Sequence, residues 1–265
     1  MTEQVIIRIQ NMLNEKKFNK IFSTVIMAGM LISIAIATAF KLQDPGVNRV
    51  MLLVAGFGSL MGVLSTVLSA NALIWTFLFG ILDVVLDSVV ALDAGAPGNF
   101  ALHAFYFLPM QFVGIWQWRK RGATSNEEVK ARKLRPGQWG WVALAVVGGT
   151  ALSYVVLLLV ERYRLSSGAV DAIDHAKVFF DAAVLDLNIV GQVMLSMAFY
   201  EQWYIWNLVN VFSILLWGNR MLSSVESSYT VVMFIKYIFY LMNSINGLRI
   251  WYALAHNASP GPGKV

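Results

Sequence analysis

Residues Trp203 to Trp217 read WYIWNLVNVFSILLW. On a helix, positions i, i+3, i+4 and i+7 share one face, so Trp203, Trp206, Asn207 and Asn210 stand together. Two indoles and two amides thus interrupt an otherwise apolar run. In hydrocarbon an unpaired polar group costs several kcal/mol, so a helix in lipid does not turn such a face outward. The face must look at other helices, at a cavity or at a ligand.

The rest of the chain places this run in a membrane. The 265 residues are 58% hydrophobic and 13% charged, against about 25% charged in soluble domains. Mean hydropathy is +0.63. A bilayer crossing takes about 20 apolar residues. Eight such runs lie near 21–40, 50–69, 71–92, 99–118, 138–160, 176–199, 202–217 and 229–250. The second and third meet at Ser69-Ala70-Asn71. One continuous helix there would be about 65 Å long, so a tight turn is expected. Lys16, Lys17 and Lys20 precede the first run, and Ala37-Thr38-Ala39 resembles a cleavage site. The length of the run argues for a retained span.

Lys and Arg set the orientation. With the N-terminus in the cytoplasm, eight spans return the C-terminus there. The cytoplasmic side then carries 13 basic residues and the outer side 6, with Lys236 inside a span. The basic stretch 119–135 belongs to this bias. It lacks the aromatic interleaving of a nucleic-acid surface, so no nucleic-acid partner is expected.

Enzyme chemistry finds no support. There are 0 Cys and 3 His, and His103, His175 and His256 are scattered. His103 and His175 fall near outer span ends, where solvation accounts for them. Neither H-E-x-x-H nor a phosphate-binding G-x-x-x-x-G-K-[ST] occurs, and no serine sits in a nucleophile elbow. No catalytic residue, metal site or cofactor is expected.

An internal repeat organises the spans. Phe107-Leu108, five residues, Gly114, three residues and Trp118 end the fourth span. Tyr240-Leu241, five residues, Gly247, three residues and Trp251 end the eighth. Trp75 and Trp206 form a second match one helix earlier. The units 50–118 and 176–250 are joined by the single span 138–160. One connecting span makes two three-span units parallel, a plan that puts substrate near the midplane between repeats. The fold class expected is an all-α polytopic membrane protein: two parallel three-helix bundles joined by a linker helix (3+1+3), plus one extra N-terminal helix. The segments are then 1–45 (cytoplasmic N-terminus and extra helix), 46–121 (first repeat) and 122–165 (basic loop and linker helix). Residues 166–252 form the second repeat and 253–265 a cytoplasmic tail.

The pattern W-x-x-W-x-x-x-N at Trp203, Trp206 and Asn210, with the span ends FYFLPMQFVGIWQWRKR and FYLMNSINGLRIW, resembles the PnuC-type bacterial nicotinamide riboside transporters. The resemblance covers about residues 50–251. It implies a fold like that of the SWEET sugar carriers and facilitated uptake of nicotinamide riboside through the inner membrane. It also implies trapping of the substrate by a separate cytoplasmic kinase. Related carriers take other vitamins such as thiamine. A membrane sensor or assembly subunit, whose amides only pack, is the alternative of another class. The sequence leaves a homo-oligomer open.

Nicotinamide riboside is a flat cation bearing a carboxamide and ribose hydroxyls. A cation over an indole gains about 0.5–2 kcal/mol, which suits Trp203 and Trp206. Amide side chains both donate and accept. Candidate contacts are Asn207, Asn210, Asn188, Gln192, Gln111, Asn243 and Asn246, with Trp75 as the counterpart of Trp206. The competing reading is that amides cross-link helices. Trp118, Trp139, Trp141, Trp217 and Trp251 fall near span ends and are expected to anchor at the interface. Gly58 and Gly62 permit close helix contact. Charges inside spans are functional candidates by default. Asp83 and Asp87 share a helical face, and Lys236 is expected to pair with Asp181 or Asp186. Ribose contact and proton coupling are the other readings of these charges.

Overall fold

The computed structural model describes residues 2–46, 48–93, 97–169, 172–222 and 228–257. Eight helices run through them. They are α1 (Thr2–Lys41), α2 (Arg49–Ala70), α3 (Trp75–Asp93), and α4, built of Pro97–Leu102, a π-helical turn His103–Phe107 and Leu108–Lys120. Then come α5 (Pro136–Ser166), α6 (His175–Ser196), α7 (Gln202–Leu222) and α8 (Ser228–Asn257). Five of the eight, at Glu15–Lys41, Arg49–Ala70, Trp75–Asp93, Pro136–Ser166 and His175–Ser196, are long and apolar enough to cross a membrane. The tail from residue 258 lies outside the described residues.

Local chemistry sets the boundaries. The Asn48 side chain accepts the Met51 N–H and the Asp174 side chain accepts the Lys177 N–H, capping α2 and α6. Pro136 opens α5, where its missing N–H costs nothing. The π turn in α4 lies just before Pro109. Proline cannot donate to the carbonyl four residues back and its ring clashes there. One wider turn, with Leu108 N–H reaching the His103 carbonyl, absorbs the defect. The expected break after Ser69 is a tight turn. Ala72 there has φ 57°, and Ala198 in the α6–α7 turn has φ 60°.

The packing is inside-out relative to a water-soluble protein. Gln111, Gln192, Asn210, Asn243 and Asn246 are buried, while Phe105, Trp141 and Val147 are more than 70% exposed. None of the 31 residues of α5 is buried, so this helix lies at the periphery, against α6. Around the centre, α2 packs on α3 and α8, α6 on α4 and α7, and α7 on α8. The extra helix α1 packs on α8 and α2. Phe239 of α8 fills the space that a side chain at Gly29 would need.

Candidate functional site

At one end of the bundle the α2–α3 turn, the α6–α7 turn and the 121–135 loop meet. Just inside it lies a row of aromatic rings. Phe77 meets Trp118 edge-on at 4.8 Å between centroids, Trp118 meets Trp251 at 5.3 Å, and Trp251 meets Trp203 at 6.3 Å. Phe77 sits against Gly114, and Trp203 sits against Gly247, where a Cβ would lie 2.7 Å from the indole. Trp118 donates its indole N–H to the Leu195 carbonyl, and Trp251 donates to that of Ser69, both at 2.9 Å. Trp118 and Trp251 are therefore not interface anchors. Each is fully buried, because a donor that finds a carbonyl loses the cost of leaving water. Trp139 and Trp141 do sit exposed.

Above this row opens a cavity of about 520 Å³. Its floor holds Trp203, Trp206, Ser69, Thr76 and Leu195. Its waist holds Gln111, Asn188, Gln192, Asn210 and Ser244. Its far end holds Asp83, Asp87, His103, Lys236 and Tyr240. The floor is sealed, with Trp203 2% exposed. The Asp87 side chain at the far end is 40% exposed.

Polar atoms of the waist are partly engaged. Asn210 donates to the Ser244 hydroxyl at 3.1 Å, which lies 2.6 Å from the Asn207 carbonyl oxygen. Asn188 donates to the Val184 carbonyl at 2.7 Å, and Gln192 reaches the Ser196 hydroxyl at 3.4 Å. Trp206 is held by the Gln202 carbonyl oxygen at 3.4 Å and lies flat against Gly191. The Trp203 indole N–H is buried with no hydrogen-bond partner. The nitrogen itself is occluded in this state, so a partner could reach it only if the floor rearranged.

The sequence candidates thus divide. Trp203, Trp206, Asn210, Asn188, Gln192 and Gln111 line the cavity. Asn207 stands behind Ser244. Asn243 donates across to the Thr66 carbonyl of α2 at 3.3 Å. Asn246 accepts from Arg249, which also reaches Glu15 and Asn19 of α1. Both amides act as helix ties. Trp75 is 45% exposed and donates to the Ser125 carbonyl of the loop. Trp206 lines the cavity and Trp75 does not.

The expected pairing of Lys236 with Asp181 or Asp186 is also corrected. Asp186 instead receives the Thr150 hydroxyl at 3.3 Å, against Gly149 of α5. Asp181 is exposed. Lys236 lines the cavity within electrostatic reach of Asp83 and Asp87. The reason is helix rotation: α8 turns the Lys236 face toward α3, not toward α6. Gly62 makes room for this, since a Cβ there would lie 2.8 Å from an Asp83 carboxylate oxygen. His103, read from sequence as a solvated end residue, lies in the cavity with its Nε2 3.6 Å from Asp87. The signal was the four-residue spacing of His103, Phe107 and Gln111, all of which line it.

Near the floor but outside the spans, Glu201 is 1% exposed. Burial raises its pKa above the usual carboxylate range, against the opposing effect of the Leu134 N–H that it accepts at 2.8 Å.

A helical membrane protein with an amide- and indole-lined central cavity, sealed at one end and open at the other, is built as a carrier of a small polar molecule. Residues 52–253 match the family model described as nicotinamide mononucleotide transporter, and the chain belongs to that family. A nicotinamide riboside transporter PnuC of Neisseria mucosa is 31% identical over 209 residues, 77% of this chain and 74% of that one. The proteins of the same name from Haemophilus influenzae and Escherichia coli are 25% and 22% identical, over 76% and 73% of this chain and 79% and 82% of theirs. A crystal structure of the vitamin B3 transporter PnuC superposes with a TM-score of 0.59 at 29% identity, covering 87% of this chain and 91% of that one. These relatives are named as transporters and not as enzymes.

Proposed function

We propose that this chain carries nicotinamide riboside into the cell by facilitated diffusion through the inner membrane. The loop end of the bundle and both termini face the cytoplasm, and a cytoplasmic kinase traps the substrate. The observation that carries this reading is the cavity floor, where Trp203 and Trp206 line the space beneath a belt of amides. The indoles suit a pyridinium. Gln111, Asn188, Gln192 and Asn210 suit a carboxamide and hydroxyls. The excess of basic residues at the loop end supports the orientation. Two parallel units, α2–α4 and α6–α8, joined by α5, are supported by three matched features: the left-handed turns at Ala72 and Ala198, the Phe77–Gly114 and Trp203–Gly247 contacts, and the reciprocal Trp118 and Trp251 bonds.

The family description names the mononucleotide, whereas the relatives are named for the riboside. The far end of the cavity favours the riboside here. Asp83 and Asp87 outnumber Lys236 there, and like charges placed together cost several kcal/mol. Calorimetric titration of purified protein with nicotinamide riboside, nicotinamide mononucleotide, thiamine and riboflavin tests the reading. The riboside is expected to bind at least about tenfold more tightly than the others. Equal or tighter binding of any of them overturns the assignment.

A further inference from the structure

The segment between α4 and α5 does not hang free. Val129 N–H donates to the Ala72 carbonyl at 3.1 Å, in the turn between α2 and α3. Three residues on, Arg132 N–H donates to the Ala198 carbonyl at 2.6 Å, in the turn between α6 and α7. The Arg132 carbonyl receives Tyr200 N–H at 3.0 Å, so Arg132 and Phe199 form an isolated parallel bridge. Leu134 N–H then donates to Glu201, at the entrance to α7. One short strap is thereby bonded to equivalent turns of the two halves of the molecule.

The strap is also packed. Val129 is 1% exposed and belongs to the aromatic cluster with Trp118, Trp203 and Trp251. Leu134 joins a second cluster with Met194, Phe199 and Ile205. Immediately above lie Ser69 and Leu195, which line the cavity floor. A solute leaving through the loop end must part the Ser69 turn from the Leu195 turn, and the strap ties both. We infer that residues Val129 to Leu134 are the inner gate of the carrier, a crossbar that must release one of the two turns before the cavity opens at the loop end. Glu201 is a positioning residue for it. Its second carboxylate oxygen is buried without a partner, so its hold on the strap rests on the Leu134 N–H. This rests on the transporter reading above and deepens it, but requires no particular substrate.

The chain has 0 Cys, so single cysteines report cleanly. In proteoliposomes, Ser69→Cys is labelled with a membrane-impermeant maleimide from each side, and Ser125→Cys in the exposed loop fixes which side is which. From the loop side, Ser69→Cys is expected to react slowly in the parent. Adding Glu201→Ala should raise that rate by about threefold to tenfold, the consequence of losing one buried hydrogen bond. Glu201→Gln keeps the acceptor and should stay within about twofold of the parent. Labelling from the opposite side should not change in either. A merely structural Glu201 would lower the melting temperature and leave sidedness alone. An unchanged loop-side rate in Glu201→Ala, or an equal rise in Glu201→Gln, overturns the gate. Should Glu201→Ala fail to fold, cross-linking Arg132→Cys to Phe199→Cys with a short bifunctional maleimide replaces it. Linked protein, with linkage read by proteolysis and mass, should lose loop-side labelling of Ser69→Cys. Retained labelling in the linked fraction overturns the proposal. The readout is accessibility alone, so failure to bind nicotinamide riboside leaves its outcome intact.

Discussion

The indoles of this chain fall into two kinds that differ in whether the N–H is spent. Trp118 and Trp251 have spent theirs on the backbone carbonyls of Leu195 and Ser69, whereas Trp203 has not. Substitutions should separate the kinds. Trp206→Ala removes a ring face worth about 0.5–2 kcal/mol to a bound cation. Asn210→Ala removes an amide whose loss leaves a ligand group unpaired, costing about 1–3 kcal/mol. Binding by calorimetry should therefore weaken severalfold to about a hundredfold in each, with melting temperatures near the parent. Trp251→Ala should behave oppositely, losing about 3–5 kcal/mol of stability with a smaller loss of affinity. If Trp251→Ala melts like the parent while Trp206→Ala and Asn210→Ala bind like it, the cavity floor is packing and not a site. The candidates Trp203, Trp206 and Asn210 were legible because helical period alone puts them on one face. Asn243 and Asn246 have the same chemistry in the same kind of helix and serve as ties. Only the rotation of α8 separates them from cavity-lining amides.

At the scale of elements, the two left-handed turns are costly and repeated. A non-glycine residue in this conformation loses about 1–2 kcal/mol, yet alanine stands at both Ala72 and Ala198. Each turn closes the preceding helix, with Leu73 N–H on the Leu68 carbonyl and Phe199 N–H on the Met194 carbonyl, and leaves the alanine carbonyl to accept from the strap. Ala72→Gly and Ala198→Gly should each raise stability by about 0.5–1 kcal/mol, read as a higher melting temperature in detergent. Ala182→Gly, inside α6, should lower it by about 0.5–1 kcal/mol. A drop in melting temperature at both turns would show that the backbone strain is not there. The eight helices could be read from apolar run length, and five of them are long and apolar enough to cross a membrane. The π turn in α4 could not. Proline at position 109 signals a defect, but how the helix absorbs it depends on Tyr106, whose hydroxyl donates to the Ile189 carbonyl of α6 at 2.6 Å.

For the whole molecule, the question is what drives the substrate. Indoles and amides exchange no proton, and the floor and waist of the cavity contain nothing else that titrates. At the far end Asp83 and Asp87 have Lys236 within electrostatic reach, so part of their charge is offset within the protein. Uptake into liposomes is expected to follow the substrate gradient alone and to stop at equal concentrations. With proton and sodium gradients clamped to zero the initial rate should not fall. Accumulation above the outside concentration, driven by either ion gradient, would sink this expectation and redirect attention to Asp87 and His103.

Run length and charge bias are properties that the chain carries locally, so the sequence by itself determined the membrane class, the number of helices and the indole-amide face of α7. Contacts between distant segments are not local. Whether Lys236 meets α6 or α3, whether Trp118 and Trp251 face lipid or a carbonyl, and whether a basic loop hangs free or bars the floor depend on how eight helices rotate and close on one another. Small steric facts decide that rotation, such as the space that Gly62 leaves for Asp83 and Gly247 for Trp203. Only when the helices are packed do those spaces have neighbours, and only then does the cavity exist.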